Sequence, residues 1–254
     1  MKEEYVSKDE YDTLFVTLTR EQVAGDIKVG VKVLDIAAGS AYFTIQVAMR
    51  NPDSSFTAVD IYQGSVDEAK KNIEKAGLET RINAVQMDSS CLDFPDEAFD
   101  TVINYLGLEN IHMTRGMEGV EKTFQEVYRV LKPGGGFYFV AMPQDEMESI
   151  PQRIEVDVFD WICGAKWLET SQYLELAREV GFSYQSKHSY YTGKKLTTEQ
   201  AREEIEYACL NVPVNYGVET RSFDETWRRF GAIIKAHGMG HYSKTALFEL
   251  VKPS

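Results

Sequence analysis

Apolar residues change their spacing repeatedly along this chain, and each change marks a new element. Ser7 with Glu10 reads as a capping box, and Tyr11, Leu14, Phe15 and Leu18 follow at i, i+3, i+4 and i+7, the stripe of an amphipathic helix. Residues 31–36 form a short β-branched run. Small residues at 37–41 then lead into a helical stretch that Pro52 ends. Residues 56–59 predict a second strand, and Ser65 with Glu68 predicts a second capping box, opening a helix that closes at Gly77. Three more strands are predicted at 82–87, 101–105 and 136–141, with a helix through Val120, Phe124, Val127 and Leu131 that stops at Pro133.

Strands alternating with helices through short turns argue for a parallel sheet covered on both faces, because parallel neighbours need crossover connections. Ligands of such sheets bind at the carboxyl ends of the strands. Beyond residue 142 the alternation loosens. Residues 143–240 read as a lid, with helices over 171–180 and 198–209 and a strand near 182–191, and a final strand is expected at 244–251. The chain is expected to be one domain over 1–254: a helical cap at 1–30, a ligand-binding core at 31–142, and lid segments with the last strands at 143–254.

Composition narrows the partners. The 254 residues carry 27 basic and 40 acidic side chains, a net charge of −13, which opposes attraction to nucleic acid or anionic lipid. The uncharged run 36–49 is too short to cross a bilayer, and the first residues lack a signal peptide's apolar stretch, so a cytoplasmic protein with no membrane partner is expected. Cys91, Cys163 and Cys209, odd in number and far apart, fit reduced thiols. His237 and His241 have the i, i+4 spacing of a helical metal pair, but Gly238 and Gly240 argue against that helix, and no metal site is expected.

The chemistry concentrates at three strand ends. Asp35-Ile-Ala-Ala-Gly39-Ser-Ala41 places small residues where a ligand would approach a helix N-terminus. Asp60, 25 positions after Asp35, ends the second strand, where a carboxylate accepts hydrogen bonds from vicinal ribose hydroxyls. Asp35 beside the turn would repel a pyrophosphate but hold an ammonium group, which disfavours NAD, and no phosphate-binding GxxxxGK[ST] loop exists. Asp88, after the third strand, is placed to accept from an adenine amino group. Glu109, Asn110 and His112 follow the fourth strand as weaker candidates for an acceptor site, while His188 and Tyr190 read as packing residues on one strand face.

Together these segments resemble the class I S-adenosylmethionine (SAM)-dependent methyltransferases, especially the ubiquinone and menaquinone biosynthesis branch. The similarity rests on residues 33–39, on Ala58-Val-Asp60-Ile61, on Val85-Gln-Met-Asp88-Ser89, and on segments 94–100 and 126–135. It implies a Rossmann-like, doubly wound α/β fold, with a mostly parallel seven-stranded sheet, helices on both faces and a helical lid insertion. It also implies SAM as cofactor, S-adenosylhomocysteine as product and a small-molecule methyl acceptor.

Carried across by position, Asp35, Ala37 and Gly39 hold the amino-acid end of SAM and Asp60 the ribose. Ile61 and Met87 flank the adenine, with Asp88 and Ser89 beside its amino group. Asn104 approaches the methionine end, and Tyr11 lies in a helix that closes over the cofactor in similar proteins, although its apolar spacing equally suits core packing. The chain departs from the family at Ala37 and Ala41, where glycine is usual. Two alternatives stay open: an arsenite-type methyltransferase, suggested by Cys163 in Trp161-Ile-Cys163-Gly-Ala165, and a non-catalytic SAM sensor or interaction protein, suggested by the two alanines. No catalytic residue is assigned.

Overall fold

A computed structural model of the chain describes residues 3–11 and 19–254. Leu14, Phe15 and Leu18 of the first amphipathic stripe lie outside the described residues. Its capping box is formed: Ser7 N–H donates to Glu10 Oε2 at 3.0 Å, and Glu10 N–H donates to Ser7 Oγ at 3.3 Å.

The elements in chain order are β1 (Glu4–Tyr5), α1 (Arg20–Asp26), β2 (Lys32–Ile36), α2 (Tyr42–Arg50), β3 (Ser55–Asp60), α3 (Gln63–Lys75), β4 (Ile82–Gln86), β5 (Phe99–Tyr105), α4 (Leu108–Val130) and β6 (Leu131–Ala141). They continue with α5 (Ile150–Cys163), α6 (Thr170–Val180), β7 (Ser183–Tyr191), β8 (Lys194–Leu196), α7 (Thr198–Tyr216), α8 (Phe223–His237), β9 (Met239–Gly240) and β10 (Lys244–Val251). A seven-stranded sheet runs β4-β3-β2-β5-β6-β10-β7. Its first five strands are parallel, and β10 is antiparallel to both neighbours. This is the Rossmann-like, mostly parallel sheet expected.

Alternation along the strands sorts side chains onto two faces. Val33, Phe56 and Ile103 pack with α1, α2 and α3 on one face; Leu34, Ile36, Val102 and Phe139 pack with α4 and α6 on the other. Asp35 shares the face of Val33 and therefore lies under α2. On the opposite face Phe139 stacks on Phe248 at 4.7 Å between ring centroids, joining β6 to β10.

The segment expected to be a lid has a core of its own. Ile154 and Val158 of α5, Leu196 of β8, Ile205 of α7 and Ile234 of α8 are buried together. A small three-stranded sheet, β1-β8-β9, ties the N-terminal segment into this cap. Its strands of two or three residues carry no readable periodicity, so the sequence gives no sign of them. Helices α5, α7 and α8 begin with capping boxes at Ser149, Thr197 and Ser222.

Several boundaries differ from expectation. The Ser65–Glu68 box does not start α3. The turn after Asp60 already leads into the helix at Gln63, because Asp60 Oδ1 takes the Tyr62 N–H at 3.0 Å. Helix α4 begins at Leu108 and kinks at Gly116, and α7 runs through Pro213 to Tyr216 rather than ending at Cys209. His237 ends α8, whereas His241 lies beyond Gly238 and is buried. Among the described residues no cluster of three potential metal ligands occurs, and no helix is long and apolar enough to cross a membrane.

Candidate active site

Strand β2 has β3 on one side and β5 on the other, so successive crossovers leave in opposite directions and open a crevice at its carboxyl end. A cavity of about 850 Å³ lies there, between the sheet and the cap. A recess of about 30 Å³ continues past Asp60 to Ser89, and Ala37, Asp60, Asn110 and Tyr216 line both spaces.

The turn after β2 supplies the floor. Ala37, Gly39 and Ala41 have φ of 49°, 54° and 60°. Left-handed backbone costs an alanine about 1–2 kcal/mol, so both alanines keep a glycine-like turn under strain. Leu106 and Tyr242, at φ 55° and 48°, line the same cavity, and Ala41 stands between its lining residues Ser40 and Tyr42. Of the five non-glycine left-handed residues among those described, only Glu97 is elsewhere.

Asp35 is buried in this floor. Its Oδ2 accepts the Thr44 hydroxyl at 2.6 Å, while Oδ1 has no partner among the described residues. Burial pushes its carboxyl up to about 7 against the pull of Thr44. Such a group calls for a cationic donor. Arg20, from α1, lines the cavity too, with its guanidinium 4.4 Å above the Tyr105 ring. Burial lowers its pKa, and Asp35 counters that. Sequence reading missed Arg20, because a single basic residue in a short helix carries no motif.

Asp60 ends β3. Besides Tyr62, it binds the Gly39 N–H through Oδ2 at 2.9 Å, which locks the β2 turn to the β3 end. Each carboxylate oxygen retains a lone pair for a ligand hydroxyl. Burial pushes this carboxyl up, and the two N–H bonds oppose the shift.

Ile61, Asp88 and Ser89 line the recess. Asp88 Oδ1 accepts the Ser90 hydroxyl at 2.7 Å, and Oδ2 accepts Arg115 Nε at 2.8 Å. Burial would raise its pKa, but Ser90 and Arg115 together hold it below the usual range.

Two expected site residues are used differently. Met87 packs against the α4-side core and lines neither space. Asn104 donates its amide to Ile36 O at 2.7 Å, tying the end of β5 to β2 from beneath the turn. Asn110 lines the cavity. Glu109 is fully buried beside it, its carboxyl pushed to about 7 by burial, and His112 is half-buried with its pKa lowered by burial. On β7, Tyr190 is buried and His188 exposed.

Tyr11 lines the cavity and donates its hydroxyl to Glu204 Oε1 at 2.9 Å. Glu204 belongs to α7, whose cavity-facing residues the sequence pattern did not mark. The three cysteines are not in the walls among the described residues: Cys91 is exposed, while Cys163 and Cys209 pack at the cap core with thiols pushed up by burial.

Comparisons with known proteins bear on the family and the fold. Residues 33–135 match the methyltransferase domain family. The ubiquinone/menaquinone biosynthesis C-methyltransferase UbiE of Pasteurella multocida is 32% identical over 110 residues, covering 43% of this chain and 39% of that protein. A demethylmenaquinone methyltransferase of Bacteroides fragilis is 26% identical, covering 49% of this chain and 51% of that protein. The chain thus spans about half the length, or less, of these two relatives. Among solved structures, the [4+2]-cyclase SpnF is similar over 100% of this chain and 88% of its own, with a TM-score of 0.64 and 21% identity. Geranyl diphosphate methyltransferase in complex with SAM is similar over 98% and 92%, with a TM-score of 0.59 and 11% identity. At such identities the structures establish the shared fold, and chemistry rests on the site.

Proposed function

We propose that this chain, whose residues 33–135 match the methyltransferase domain family, is a class I SAM-dependent methyltransferase that binds SAM at the carboxyl ends of β2, β3 and β4 and transfers its methyl group to a small-molecule acceptor. The observation that carries the reading is the buried Oδ1 of Asp35 in the cavity floor, without a partner among the described residues. It suits the ammonium of an amino-acid moiety, and Arg20 on the same wall suits its carboxylate. Asp60 takes the ribose hydroxyls, and the adenine lies at that end of the cavity with its amino edge turned toward Ile61, Asp88 and Ser89 at the recess.

When bound, SAM supplies a methyl group already activated by its sulfonium. The protein's part is then alignment and exclusion of water. The strained β2 turn fixes the amino-acid end, the Asp60 bond to Gly39 fixes the ribose relative to it, and α7 with Tyr11 closes the opposite side. The left-handed geometry of Ala37 and Ala41 preserves the turn despite their side chains, which weakens the case for a sensor that has lost its site. Cysteines outside the walls, two with raised thiol pKa values, disfavour arsenite chemistry, which needs thiolates together.

Calorimetry tests the placement. Asp60→Ala is expected to weaken SAM and S-adenosylhomocysteine by about 1.5–3 kcal/mol for each hydrogen bond lost. Unchanged affinity, or tighter binding of NAD than of SAM, would reject it.

A further inference from the structure

The cavity is chemically divided. With Asp35, Arg20, Asp60 and the recess assigned to SAM, much of the remaining wall comes from α7, where Glu204, Tyr207, Asn211 and Asn215 recur three or four residues apart on one helix face. Glu203 adds a second carboxylate. Tyr11 closes one side through its bond to Glu204, and Tyr216 closes another, its ring 5.9 Å from that of Tyr62. Among the described residues, no lysine, histidine or second arginine lines the cavity.

Glu203 is exposed at the rim and Glu204 is half-buried with the Tyr11 hydroxyl on Oε1. An anionic acceptor filling this half would meet both with like charge and a neutral one would desolvate Glu204 further, whereas a cation offsets that cost. Tyrosine faces attract ammonium groups in the same way, through the negative face of the ring. Resting on the methyltransferase reading above, we propose that the acceptor is a small amine, held as its ammonium between Glu203, Glu204 and the tyrosine rings and methylated on nitrogen.

The ammonium first passes one N–H proton to the Glu204 carboxylate. The freed nitrogen lone pair forms the new N–C bond as the methyl carbon–sulfur bond breaks, and that bond's electron pair stays on sulfur. The products are a methylated ammonium and a neutral thioether, and the proton on Glu204 returns to solvent. Burial raises the proton affinity of Glu204 while the Tyr11 hydroxyl restrains it, which suits a group that must both take and release a proton.

The test uses the full chain loaded with S-adenosylhomocysteine and two probes, benzyltrimethylammonium and phenylacetate, titrated by calorimetry. The ammonium is expected to bind at least about tenfold more tightly than the carboxylate. The double variant Glu203→Gln, Glu204→Gln is expected to lose about tenfold in ammonium affinity, with S-adenosylhomocysteine affinity held within about twofold. Tyr207→Leu, at an exposed position with little bearing on folding, is expected to weaken the ammonium in the same direction. Equal or tighter binding of phenylacetate, no binding of the ammonium, or indifference to these variants overturns the amine proposal while SAM binding stands. Failure of the wild-type protein to bind S-adenosylhomocysteine overturns the methyltransferase reading, and the amine proposal with it.

Discussion

The cavity's two walls are made of different material. On the sheet side, the lining rests on a backbone turn: left-handed residues at 37, 39 and 41, the Gly39 N–H held by Asp60, and the Asp35 carboxylate buried beneath them. On the cap side it lies in side chains projecting from one face of α7, whose hydrophobic core is separate from those of the sheet. A wall of backbone is tied to the fold and tolerates little change. A wall of side chains can be rewritten without disturbing the sheet, which is how one fold serves many acceptors.

The largest expected effect breaks the cap alone. Ile205 is fully buried among Leu196, Ala201 and Ile234, and Ile205→Ala is expected to cost about 2–5 kcal/mol within the cap. Hydrogen exchange would show faster exchange in α7 and α8 with β2 and β5 still protected. Uniform loss in both regions would mean that the walls share one cooperative unit.

The next effect belongs to the sheet wall. Asp35 has a folded pKa of about 7 against an ordinary value of 3.8, so its stabilising contribution is present below about pH 4 and is lost as pH rises through 7. The ligand-free protein should lose stability over that interval at up to about 1.4 kcal/mol per pH unit from this one proton, and Asp35→Asn should flatten the slope. An ammonium ligand favours the ionised form, so binding near pH 6 should release a proton. Calorimetry in two buffers of different ionisation enthalpy measures that release, and a wild-type value of zero would separate Asp35 from the ligand.

The smallest effect is a gain. Ala37→Gly and Ala41→Gly each relieve about 1–2 kcal/mol of left-handed strain and lose about 0.5–1 kcal/mol to chain entropy, leaving a net stabilisation of up to roughly 1.5 kcal/mol. Urea denaturation checks it, and destabilisation by either variant would show that the methyl groups contribute packing.

The same division decides what was legible in the sequence. Asp35, Gly39, Asp60 and Ser89 stand where strand periodicity stops, so the sequence marks them and the fold brings them to the cavity. Asn104 was marked too, but a fully buried amide beneath a turn does better bonding Ile36 O than facing a ligand. Met87 turned to the core because its neighbourhood is apolar on that side. Arg20, Glu204 and Tyr207 belong to helices whose alternation of polar and apolar residues looks like any solvent face. The position of α7 over the sheet, fixed by contacts between α5, α7 and α8 far apart in sequence, turns Glu204 and Tyr207 to the cavity, and the packing of α1 beside Tyr105 does the same for Arg20. The short strands β1, β8 and β9 escaped for a related reason, since two or three residues carry no period.

The strand order of the large sheet also sets a timetable. Strand β10 follows β7 in sequence yet lies between β6 and β7, so β6, already paired with β5, lacks its second neighbour and β7 its inner one until residues 244–251 arrive. Until then β6 presents a bare, largely apolar edge, open to pairing with another chain. During refolding, the interval between forming the first five strands and inserting the last is therefore when this protein is most exposed to aggregation, and its length is governed by closure of the long connection through the cap.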